Sequence, residues 1–218
     1  MPSHAPVVDL LGALAYGELT AFSRLAGDAE LAPSLADKVA LAQVAASEFR
    51  HYETLAARIE ELGAQPQEAM SPFCAPVDAF HDRTAPNDWL EGLVKAYVGD
   101  GIATDFYREI SAFVDEDTRE LVHRVLEDAG HAEVVAAAVR TAVDRDPRLA
   151  GRLALWARRL VGEALSQAQR VAVDRDGLAA LLVGTEDSPG ADLAEIGHMF
   201  ARIMDRHGDR MKVLGLAQ

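Results

Sequence analysis

Apolar residues recur at intervals of three and four along most of the chain. Leu11, Leu14, Ala15, Phe22 and Leu25 mark one such face near the N-terminus. That spacing is the period of an amphipathic helix, and strand-like alternation of period two is scarce, so the predicted class is all-α. Six helices follow, at about 7–25, 34–62, 88–113, 117–143, 149–174 and 191–207. Ser34 reads as an N-cap and Gly63 as a stop. Asp117-Thr118-Arg119-Glu120 reads as a capping box. Residues 64–86 carry Pro66, Pro72, Pro76 and Pro86, which predicts a connector without a long helix. A loop is expected from Gly184 to Gly190.

Short turns join the first two helices, and likewise the third and fourth, which makes two antiparallel hairpins. The long connector between them gives a four-helix bundle with one crossover. The expected organisation is a single domain over 1–218, with a four-helix core at 7–143 and an extra C-terminal hairpin at 149–207.

Charge narrows the function classes. The chain has 218 residues, with 21 Lys and Arg against 35 Asp and Glu, a formal net charge of −14. Such a surface repels phosphate backbones and disfavours nucleic-acid or anionic-membrane binding. Locally basic residues 140–175 are read as pairing with the acidic bundle. The single cysteine, Cys74, rules out an internal disulfide and cysteine-based metal clusters, and is read as structural. No run of 18 apolar residues occurs, so no membrane-spanning helix is expected. Met1-Pro2-Ser3-His4 lacks the basic start of a signal peptide, so the cytosol is the expected compartment. Glycine-rich phosphate loops and Ser-His-Asp order are absent.

The candidate chemistry lies in carboxylates and histidines. Glu18 falls near the centre of the first helix's apolar stripe, where a carboxylate is costly unless paired, protonated or metal-bound. Five acid-x-x-His pairs occur, where random placement gives about one. Asp78/His81 lies in the connector and reads as surface, and Glu120 reads as a cap beside an outward His123. Glu48/His51 and Asp128/His131 lie mid-helix on equivalent flanks, each placing an acid and an imidazole on one face. That placement suits pseudo-twofold ligation of two metals. The third helix offers Asp105, at the centre of its apolar face, and Asp100, off that face; Glu109 reads as solvated. Asp100 precedes Asp128 by 28 residues, as Glu18 precedes Glu48 by 30, and both candidates stand. Glu163, Glu195 and His198 repeat the pattern in the last hairpin. The four tyrosines and two tryptophans read as packing residues.

On these residues the chain resembles the ferritin-like di-iron superfamily, whose pattern is Glu, then Glu-x-x-His about 30 residues later, then the same after a long crossover. Here it matches Glu18, Glu48/His51, Asp100 or Asp105, and Asp128/His131. The run Glu18-Leu19-Thr20-Ala21 is similar to the first ligand helix of bacterioferritins. Tyr97-Val98-Gly99-Asp100 and the extra hairpin look like an actinobacterial branch that resembles the hydroxylases of methylthio-isopentenyl-adenosine in tRNA. The second half carries Asp where that pattern has Glu, and the −14 charge suits a tRNA substrate badly.

The resemblance implies a ferritin-like fold, a di-iron cofactor with manganese as an alternative, and an oxygen-dependent hydroxylase or oxidase. Such an enzyme takes a small organic substrate and an electron donor, and a homodimer is compatible with it. Two competing readings remain: iron handling as a ferroxidase or store, which the extra hairpin disfavours, and a metal-free helical interaction module.

Overall fold

A computed structural model describes residues 5–127, 131–174, 184–185, 188–189 and 193–216. The side chains of residues 131, 134, 172–174, 184–185, 188–189 and 193 fall outside that description. Among the described residues the fold is all-helical apart from one two-residue antiparallel pairing, Gly184–Thr185 with Ser188–Pro189, inside the expected loop. The helices are α1 (Ala5–Asp28), α2 (Leu35–Glu61), α3 (Pro66–Arg83), α4 (Trp89–Ser111), α5 (Glu116–Val125), α6 (His131–Arg145), α7 (Arg148–Asp174) and α8 (Leu193–Val213). A single 3-10 turn, Ala29–Leu31, follows α1.

The ends of these helices follow their local chemistry. Ser34 caps α2 by accepting from the Asp37 amide at 3.2 Å, and Asp88 caps α4 by accepting from the Glu91 amide at 2.9 Å. Gly63 takes φ 81°, which glycine alone adopts freely, and ends the α2 turn.

Several expectations need correction. The proline-rich connector is itself a helix, α3. Pro66 sits in its first turn, where a missing N–H is harmless, whereas Pro72 and Pro76 lie inside it. An interior proline disfavours a helix by about 3 kcal/mol; burial of Ala69, Met70 and Phe73 against α1 and α7 offsets that. The expected helix over 117–143 is divided, with α5 ending at Val125 and α6 beginning at His131. Arg108 of α4 donates to the Leu126 carbonyl at 3.0 Å and so satisfies one of the carbonyls left open where α5 ends. The α5 cap is Asp115, which accepts from the Thr118 amide at 3.0 Å, and Glu120 is an exposed partner of Arg124 instead.

The two larger buried clusters form around α1 and α4. Leu11, Leu14, Leu55, Ile59 and Val122 join α1, α2, α3 and α5. Val94, Val98, Val139, Leu153 and Leu160 join α4 to α6, α7 and α8. Thus α1, α2, α4 and the α5–α6 pair fill the four bundle positions, and α7 and α8 pack on α4. Trp156 is buried at that junction and donates to the Glu91 carbonyl at 2.9 Å. Arg152 bridges Asp88 and Glu91, so the expected pairing of the basic stretch with the bundle holds at this residue.

The Ala5–Leu31 stretch is long and apolar enough to pass as a membrane span by composition, contrary to the expectation from uninterrupted runs. In this fold half of its most apolar 18-residue window is buried, packed on α2 and α3 as a core helix. Its approach to α3 is close: a Cβ on Gly12 would lie 2.3 Å from the Ala69 carbonyl oxygen. Backbone cannot yield as a side-chain tip does. Gly12→Ala is expected to destabilise the protein by about 3 kcal/mol, read as a lower urea midpoint.

Candidate metal centre

Glu18, Glu48 and His51 come together between α1 and α2. One ligand atom from each lies within 4.8 Å of the other two. Glu18 takes the place of a core residue: Leu11, Leu14 and Ala15 precede it on the same face, and it is 7% exposed. The i, i+3 spacing on α2 puts Glu48 and His51 side by side, with His51 Nδ1 3.8 Å from Glu48 Oε2 and 3.3 Å from Glu18 Oε2. Of the candidates that the sequence offered on these two helices, the fold brings Glu18, Glu48 and His51 together.

Electrostatics in the trio favour a cation. Burial pushes the Glu18 carboxyl well above the carboxylate range, and the neighbouring Glu48 adds to this while His51 opposes it. Hydrogen bonding to Glu18, then to Glu48, raises His51 to about 9. Two carboxylates and an imidazole therefore share a proton where Glu18 is buried and Glu48 and His51 are partly buried. A divalent ion relieves the carboxylate repulsion and takes the imidazole nitrogen in place of that proton. Oxygen and nitrogen donors of this kind suit iron or manganese.

The remaining candidates divide. Asp105 is 3% exposed, but both its oxygens are engaged: Arg206 Nε lies 2.9 Å from Oδ1, and Arg210 Nη2 donates to Oδ2 at 2.6 Å. Glu109, one turn on, is not solvated as expected; it pairs with Arg202 at 2.7 Å and with Arg206. Arg202, Arg206 and Arg210 recur every four residues along α8 and meet Glu109 and Asp105, spaced by four on α4. The sequence reading missed this ladder, although the matched spacing was its signal. Asp100 lines the same cavity as Glu18. It lies about 20° around α4 from Tyr107, whose hydroxyl approaches Gly17 and whose pKa is raised by burial and by the Glu18 charge.

Asp128 lies outside the described residues, as does the His131 side chain, although His131 opens α6. Glu127 and Ala132, on either side of them, both line the cavity. Glu163 pairs with Arg83 at 3.4 Å, while Glu195 and His198 are exposed, so the third repeat does not join the cluster.

The cavity measures about 590 Å³ and is walled largely by apolar residues such as Leu10, Leu14, Phe73, Val77 and Phe106. His81 belongs to this wall, not to the surface as expected. Burial first, then the charges of Lys95 and Arg24, lowers it to about 3. Between the unfolded value near 6.5 and about 3, the unfolded chain binds the extra proton, so this residue's contribution to stability is lost as pH falls through that window. His81→Asn is expected to remove about 3 kcal/mol of the stability lost between pH 7 and pH 4, measured by urea unfolding at both. Tyr16 of α1 donates to Asp78 at 2.9 Å, and Cys74, a free thiol on α3, lies near the same hydroxyl.

A family model of a ferritin-like domain from actinomycetes matches residues 3–185. The chain belongs to that ferritin-like family. The match spans the core helices and α7, and it stops before α8. No curated protein matches the chain. The ferritin-like fold and the Glu18, Glu48 and His51 group together fit a di-iron protein.

Proposed function

We propose that this ferritin-like protein is a di-iron oxidoreductase that hydroxylates or oxidises a small organic molecule. Convergence of Glu18, Glu48 and His51 beside a large apolar cavity carries the reading. In it, Glu18, Glu48 and His51 hold one side of the centre, and Asp100, Asp128 and His131 the other. Asp105 is left out of this set because two guanidinium groups already occupy its oxygens. Bound iron supplies the means of reducing dioxygen with electrons from an external donor.

The chain's own residues supply the rest. Apolar walls exclude water and hold the organic body of the substrate against the ligand cluster. The proton shared by His51 and the carboxylates leaves when a cation enters. Tyr107 presents a buried hydroxyl close to Glu18. A cavity lined mainly by carbon favours an organic substrate over storage of hydrated iron, and the −14 charge favours a small molecule over a nucleic acid.

The test is oxygen uptake after anaerobic Fe(II) loading. The expected result is about two irons per chain and oxygen consumption. A wild type that stays iron-free despite added Fe(II) overturns the reading. Size exclusion on the same sample separates a small oligomer from the cage that an iron store requires.

A further inference from the structure

Gln167 sits on α7 and is 5% exposed. Its Nε2 and Oε1 are both buried and without a hydrogen-bond partner among the described residues. It lines the 590 Å³ cavity, and the other α7 residues on that wall are Ala164, Leu165, Ala168 and Val171. A lone carboxamide on a carbon wall is unfavourable unless something in the cavity pairs with it.

The charges around the cavity restrict what that partner is. Arg210 is held by Asp105, Arg24 faces Asp82, Lys95 donates to the Thr84 carbonyl, and Arg108 donates to the Leu126 carbonyl. The unpaired Nε of Arg210 is packed against Gly101, where a Cβ would lie 2.6 Å away. Two of these four cations are met by carboxylates and two by neutral backbone carbonyls; a ligand carboxylate at Gln167 would accept from Nε2–H but leave Oε1 without a donor. A neutral amide edge matches Gln167 on both counts: its carbonyl accepts from Nε2–H while its N–H donates to Oε1.

We propose that Gln167 is the recognition residue of this cavity, and that the cavity takes a neutral, mainly apolar molecule bearing a carboxamide or lactam edge. The volume falls in the range of about 300–1,000 Å³ that holds such ligands. This deepens the proposed function, because it rests on the cavity being the substrate chamber.

The test titrates the full-length chain by calorimetry with octanamide, octanol and octanoate, as purified and again after iron chelation. The wild type is expected to bind octanamide about tenfold tighter than the other two in both states. Gln167→Leu is expected to bind octanamide and octanol within about twofold of each other, and to melt about 2–6 °C higher because two unpaired polar atoms are gone. Gln167→Met, closer in shape, is expected to do the same. Equal wild-type affinities, no binding, a preference that survives in Gln167→Leu, or variants that melt lower or fail to fold would each overturn the proposal. Absence of iron would count against the metal centre alone, since the probes are also read in chelated protein.

Discussion

Glu18→Ala is expected to weaken iron binding by about 100-fold or more, since loss even of a residue supporting a ligand typically weakens metal affinity by about 10–100-fold. Glu18 is the ligand candidate most committed to its place: it is buried among leucines, and His51 Nδ1 lies 3.3 Å away. The substitution leaves Glu48 and His51 facing a gap, with two donors where three stood. Without metal, the variant is expected to keep its fold, because the lost carboxyl is one whose burial is unfavourable to begin with. Fe(II) titration by calorimetry, with circular dichroism on the same samples, checks both halves. Wild-type iron affinity in Glu18→Ala would remove this carboxylate from the centre.

Asp105→Asn should show the reverse pattern. Its carboxylate holds Arg206 and Arg210 of α8, and its own side chain is 4% exposed. Removing one partner of a buried pair costs about 3–5 kcal/mol, because the other charge stays behind uncompensated. Arg206 is partly exposed and also pairs with Glu109, so the lower end, about 3 kcal/mol, is expected. Iron content should not change. Urea unfolding and iron analysis of one preparation separate the two roles. A variant of wild-type stability that has lost iron would make Asp105 a ligand.

The legible part of the fold came from periodicity and local end chemistry. Ser34, Gly63 and Asp88 mark helix ends because the atoms that satisfy those ends belong to the same few residues. Glu18 was legible because a carboxylate in a leucine stripe conflicts with its surroundings. The errors share a cause. Local rules forbid α3, and tertiary burial of Phe73 and Met70 outweighs them. Asp105 also sits in an apolar stripe, and nothing in α4 tells whether a metal or an arginine answers it. The answer lies about 100 residues away, on α8. Likewise Asp78/His81 reads as surface until α3 is known to be a helix, after which His81 falls on the cavity wall. Gln167 gives no sequence signal at all, since glutamine is common on exposed helix faces and only the cavity shows what this one meets.

Anomalous diffraction from crystals loaded with Mn(II) or Fe(II) tests the central claim most directly. The account predicts two peaks about 3.5–4 Å apart, one against Glu18, Glu48 and His51 and its neighbour against Asp100, Asp128 and His131. A map in which no peak touches Glu18, with metal confined to surface carboxylates, would contradict it.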